Sequence, residues 1–292
     1  MKPDTPMKHR KGRLHIGRSR AGRVGNFLML CAVGVFMALP LVYIFSSAFK
    51  PLDELFVYPP RFFVRNPTLN NFKNLSVLMG DSWVPISRYF FNTVLITALA
   101  VLGQLVVSSL AAYVLEKRRF PGRELIFKLV VLSLMFSTTV TAIPSYIIMS
   151  RIGWVDTLAS LIVPAIASSL GLFLMKQFMC NIPDSLLEAA RIDGASELRI
   201  FFRIAMPMVK PAWLTLIIFG FQSMWGMTGG NTIFSEELKP LNYALNQILA
   251  GGVARAGAGS AVSLILIIPP IVVFIVSQGN ILQTMASSGI KE

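Results

Sequence analysis

Six long apolar runs govern what this chain can fold into. They cover approximately residues 27–49, 89–115, 125–150, 158–178, 212–228 and 259–283. A helix needs about 20 mostly apolar residues to cross the hydrocarbon of a bilayer, and all but the fifth run reach that length. Several contain proline: Pro40, Pro144, Pro164, Pro269 and Pro270. Proline costs about 3 kcal/mol inside a soluble helix. In a membrane bundle, neighbouring groups can re-satisfy the freed carbonyls. Composition agrees, with 54% hydrophobic and 14% charged residues, against roughly 25% charged in a soluble domain. The expected fold is all-α, a polytopic membrane protein with six transmembrane helices over residues 26–292.

The charges set an orientation. The net charge is +13, which in a soluble chain would suggest nucleic acid. Here 19 of the 27 Lys and Arg fall in the N-terminal tail, 116–128, 176–210 and at Lys291. These stretches share one side if the six spans alternate. Basic residues collect on the cytoplasmic side, so both termini are expected there, and no nucleic-acid partner is implied. Residues 1–25 form a basic tail, expected to be disordered and able to attract anionic membrane lipid. The run behind it is longer than the roughly 7–15 residues of a signal-peptide core, so an uncleaved first span is expected.

Several functions lose support. No G-x-x-x-x-G-K-[ST] occurs, so ATP binding through a P-loop is not expected. The commonest hydrolase motifs, H-E-x-x-H and G-x-S-x-G, are also missing. Cys31 and Cys180 fall on separate segments, and both histidines lie in the tail. Neither a disulfide nor a metal site is expected. The span interiors carry no Asp, Glu, Lys or Arg, which counts against an ion-gradient-driven secondary sugar carrier, the main alternative. The spans do carry neutral polar residues, most of them expected to bond between helices. Gln104, Ser137, Thr138, Gln222 and Trp225 are candidates to line a path for a hydroxyl-rich solute.

One polar interval breaks the pattern. Residues 188–211 read "EAARIDGASELRIFFRIAMPMVKP", and the orientation puts them in the cytoplasm. Pro183-Asp184-Ser185 opens a helix, and Ser185 and Glu188 have capping-box spacing. Gly194 suits the left-handed position that ends a helix. Leu198, Phe201, Phe202 and Ala205 then follow i, i+3, i+4, i+7 spacing, the mark of a second amphipathic helix. Leu187, Ala190 and Gly194 form a small-residue stripe that would let another surface approach.

This interval resembles the EAA loop of ABC importer permease subunits of the maltose-type carbohydrate family. Glu188, Ala189, Ala190, Asp193, Gly194, Ala195, Phe201, Pro207 and Pro211 match its pattern in register. "RYFFNTVLI" with "AAYVLEKRRFPGRELIF", and the ending "SGIKE", are similar to further parts of that family. The resemblance implies a bacterial inner-membrane, multi-pass permease without enzymatic activity of its own. It implies that the loop's first helix docks on a separate ATPase subunit, with Glu188, Ala189, Ala190, Asp193, Gly194 and Ala195 at the contact. No cofactor is then bound by this chain; ATP and Mg sit on the ATPase. The implied partners are a homologous second permease, two ATPase subunits and an extracytoplasmic solute-binding protein. The implied cargo is a carbohydrate, an oligosaccharide, with acidic ones such as alginate fragments included. Gly251, Gly252 and Arg255 fall where such permeases contact the binding protein. One departure is Gly226, where relatives carry an asparagine after Trp225.

Overall fold

The computed structural model describes residues 20–80 and 83–288, and among these no strand occurs. Fourteen α-helices follow in order. They are α1 (Arg20–Ala48), α2 (Leu52–Leu55), α3 (Asn70–Gly80), α4 (Ile86–Lys117), α5 (Arg123–Ser133), α6 (Thr138–Arg151) and α7 (Ala159–Ile166). Then come α8 (Ser169–Met179), α9 (Asp184–Ile192), α10 (Glu197–Ile200), α11 (Met206–Met208), α12 (Lys210–Trp225), α13 (Leu241–Leu249) and α14 (Ala256–Ser288). The basic tail up to residue 19 and the last four residues of "SGIKE" lie outside the described residues.

Four stretches are long and apolar enough to cross a membrane: Val24–Ala48, Ile86–Lys117, Ala159–Met179 and Ala256–Ser277. A fifth arises if Glu197–Met208 and Lys210–Trp225, bent by 81°, count as one span. The 125–150 run differs from the expected single helix. It is α5 and α6, of 11 and 14 residues, parted at Leu134–Ser137. Ser137 is the reason the chain can restart there: its hydroxyl accepts from Thr139 N at 3.3 Å and caps α6. The same device restarts the 158–178 run, where Ser168 Oγ accepts from Gly171 N at 3.0 Å and caps α8.

α4 is the centre of the bundle and packs against α7, α8, α12 and α13, while α14 gathers α1, α3, α12 and α13. Small residues allow close crossings, as expected where helices cannot gain from excluding water. A Cβ on Gly171 would stand 2.8 Å from Ser108 Oγ and 2.9 Å from Leu216 Cδ1, where α8 meets α4 and α12. A Cβ on Gly220 would stand 2.7 Å from Gln104 Oε1. By contrast, the apolar stretch Phe27–Phe36 of α1 and most of α6 are exposed, suited to lipid or to another chain. Beyond α1, Glu54 accepts from Arg65 N and Asn66 N, both at 3.0 Å, and folds that connection back on itself. Asn71 reinforces it by donating to Ala48 O at 3.0 Å and Lys50 O at 2.8 Å.

Gly171→Val should lower the melting temperature of the purified protein in detergent, at an overpacking cost of about 1–3 kcal/mol. Gly34→Val, where nothing lies within 4 Å, should leave it unchanged.

Candidate functional site

The 180–211 loop is built on two helix starts and one helix end. Pro183 occupies the N-cap of α9 with φ −63° and ψ 130°, and no side chain caps the helix. The capping box expected from Ser185 and Glu188 is therefore not formed. Pro183, not Ser185, is the N-cap, so Ser185 lies inside the first turn and Glu188 falls two positions beyond the N3 site from which it could reach back. The carboxylate of Asp184 instead favours the positive end of the helix dipole and meets Lys117 Nζ at 2.8 Å.

The end of α9 follows the expected glycine rule in full. Gly194 has φ +77°. Its N–H donates to Arg191 O, and Ala195 N–H donates to Ala190 O, each at 3.0 Å. This crossed pair is a Schellman motif, which only a residue at ease in the left-handed region closes without strain. The turn releases the chain to Ser196, whose hydroxyl accepts from Arg199 N at 3.4 Å and caps α10.

The second helix departs from the expected stripe. Residues 201–205 form a π-helical turn, which shifts the side-chain register relative to an α-helix. Ile200, Phe201 and Ala205 are buried, while Leu198 and Phe202 are exposed. The buried set joins Tyr113, Met175, Met179, Leu187, Val209 and Leu216 in one apolar cluster. Phe201 packs edge-on to Tyr113 at 5.4 Å. Leu187 and the half-buried Ala190 also face this cluster, so the surface approached by the small-residue stripe is the chain's own bundle.

Ion pairs ring the cluster. Glu197 meets Arg118 at 2.5 Å and Arg191 at 2.9 Å and accepts from Tyr113 Oη at 3.3 Å. Lys117 also donates to Ile182 O at 2.6 Å, and Lys176 meets Glu116 at 2.7 Å. α8, α9 and α10, with the α8–α9 connection at Ile182, are thus tied to the Lys117 end of α4. The hydrogen bond from Arg191, aided by Arg118, holds the Glu197 carboxyl below its ordinary value against partial burial. Lys117 does the same for Asp184. Sequence reading missed this network because its partners lie up to 84 residues apart. The available signal was the opposite charge of Lys117-Arg118 and of Asp184 and Glu197 on one side of the bundle.

What remains outward is a compact face. Glu188, Ala189, Ile192 and Asp193 are exposed, and Ile192 is 86% exposed. Ala195 is half-buried against the cluster. The residues expected to line a path have separate neighbours. Gln104 is buried beside Gly220. Trp225 is buried, donates to Leu266 O at 3.2 Å and stacks on Phe221 at 5.5 Å. Ser137 caps α6, Thr138 begins it, and Gln222 is exposed. Gly251 and Gly252 are exposed in the turn between α13 and α14, beside the exposed Arg255.

Carboxylates held below their ordinary values stabilise the fold above the ordinary carboxylate range and lose that contribution as pH falls through the depressed values. Trp213, whose Nε1 donates to Met206 O at 3.2 Å, reports on the loop. Lowering pH from about 6 towards 3 should lower the thermal midpoint of its fluorescence, and Glu197→Gln should weaken that dependence.

Residues 104–287 match the family described as binding-protein-dependent transport system inner membrane component. Protein LplC of Bacillus subtilis (strain 168) is 34% identical over 240 residues, covering 79% of this chain and 77% of that protein. The sn-glycerol-3-phosphate transport system permease protein UgpE of Escherichia coli O1:K1 / APEC is 29% identical over 275 residues, covering 89% and 94%. Among solved structures, a chain of a bacterial ABC transporter involved in the import of the acidic polysaccharide alginate superposes with a TM-score of 0.75 at 23% identity. That superposition covers 89% of this chain and 98% of the other, and shows a shared fold. With its apolar helices and this loop, the chain belongs to the family of inner-membrane permease components of binding-protein-dependent transport systems.

Proposed function

We propose that this chain is one of two homologous membrane subunits of an ATP-driven carbohydrate importer, with six spans and both termini in the cytoplasm. The broken α5–α6 pair serves as the third span and α12 as the fifth. A solute-binding protein delivers the cargo on the outer side, near Gly251, Gly252 and Arg255. Two ATPase subunits bind ATP and Mg and close in the cytoplasm. Glu188, Ala189, Ala190, Asp193, Gly194 and Ala195 form the docking segment for one of them. Gln104, Ser137, Thr138, Gln222 and Trp225 remain the candidates for solute contact.

The observation that carries this reading is the two-sided construction of α9. Its inner face is locked into the bundle by Leu187 and Ala190, while Glu188, Ala189, Ile192 and Asp193 stand free. A push on the free face therefore reaches the spans directly. The cargo proposed is a polyhydroxylated, anionic solute. The relatives point that way, one named for sn-glycerol-3-phosphate and the solved neighbours for alginate.

The Gly194 turn supplies the test. A β-branched residue at φ +77° meets a left-handed penalty of about 1–2 kcal/mol. In proteoliposomes with the partner subunits, Gly194→Val should reduce binding-protein-stimulated ATP hydrolysis several-fold, while Gly194→Asn, tolerated in that conformation, should retain most of it. Unchanged stimulation in Gly194→Val would refute the coupling role.

A further inference from the structure

The segment between α12 and α13 lies at the far end of α4 from the loop. Two routes lead there. The covalent route runs through α12, which enters after an 81° bend. It leaves through Gly226, Gly229 and Gly230, the last two at φ +90° and +54°. This route is therefore broken by a sharp bend at one end and leaves the helix at the other. The second route is α4. Among the described helices longer than 16 residues, α4 alone has no internal proline: α1 carries Pro40 and α14 carries Pro269 and Pro270. Its 32 residues form a rod of about 48 Å at 1.5 Å per residue.

Side chains fix both ends of this rod. The Lys117 end holds the loop through Lys117–Asp184, Arg118–Glu197 and the Tyr113–Phe201 contact described above. The Ile86 end holds the segment that follows α12. Asn92, 1% exposed, donates to Glu237 O at 2.8 Å and Lys239 O at 3.0 Å. Tyr89 Oη donates to Glu236 Oε1 at 2.7 Å, and Lys239 Nζ meets Glu236 Oε2 at 3.0 Å. Thr93 Oγ1 accepts from Leu241 N at 2.7 Å and so anchors the start of α13. The opposite edge of the segment is pinned by Asp156, which accepts from Phe234 N at 2.9 Å and Ser235 N at 2.8 Å.

We infer that α4 is the strut through which closure at the 184–197 loop moves the 236–241 segment, with Asn92 the residue that positions that segment on the strut. Breaking these bonds would leave the buried Asn92 amide without its partners, so the segment is tied to α4 by side chains and not only to α12 through the chain. The inference rests on the proposed ATP coupling and adds the path that coupling takes.

Two measurements test it in the assembled transporter, with its partner permease, ATPase subunits and binding protein. The first uses a chain with Cys31→Ser and Cys180→Ser, spin-labelled at Ser185→Cys and Glu237→Cys, both exposed positions. The strut predicts one narrow distance, the same without nucleotide and with ATP trapped. A distance that changes with nucleotide overturns it, and this arm leaves Asn92, Tyr89 and Thr93 unaltered. The second compares Asn92→Leu with the unaltered protein. Basal hydrolysis should persist, while stimulation by loaded binding protein falls several-fold and the distance distribution broadens. Equal stimulation with an unbroadened distance overturns the strut and leaves the coupling loop standing. An unaltered transporter that shows no stimulation overturns both readings.

Discussion

The whole arrangement depends on the docking of the 184–209 segment against the Lys117 end of α4. Apolar burial supplies the attraction: Leu187, Ile200, Phe201, Ala205 and Val209 are each at most 3% exposed. Burial of this kind is non-directional. Direction comes from Glu197 between Arg118 and Arg191 and from Asp184 on Lys117. These pairs are partly exposed, so each adds little energy. Together they fix where the apolar plug sits. A loop that was merely amphipathic could slide on a membrane surface; this one has a single register.

Two short backbone devices make that register possible. The Schellman turn at Gly194 reverses the chain within three residues, so that both helices of the loop face the same cluster. The π-helical turn at 201–205 follows α10 directly; Ile200, Phe201 and Ala205 are buried, while Leu198 and Phe202 are exposed. Leu198, Phe202 and Ile192 are apolar groups left outside the bundle. Exposed apolar groups on the same loop as the exposed Glu188 and Asp193 suit a protein partner.

The sequence was informative in proportion to how local each signal is. The apolar runs, the all-helical class and the Gly194 turn are short-range properties and were legible from spacing and residue type. The family was legible because its motif is one continuous stretch. Three features were not. The split of 125–150 depends on Ser137 winning a cap within a run apolar enough to continue. The inward face of the second loop helix keeps Phe201 and Ala205 of the expected stripe but buries Ile200 in place of Leu198 and Phe202, a choice set by the distant cluster that the helix meets. The neighbours of the path candidates were not legible, because they were chosen for polarity or, at Trp225, for an aromatic face, and neither says which neighbour a side chain will have: Trp225 donates its indole N–H to Leu266 O on α14.

The central claim is that the exposed face of α9 meets an ATPase. The most direct measurement places a photo-crosslinking amino acid at Ile192 in membranes containing the assembled transporter. The account predicts an adduct with the P-loop ATPase subunit, and none from Leu187, whose side chain is buried in the bundle. Crosslinking from Ile192 to lipid alone, or to the binding protein, would contradict it.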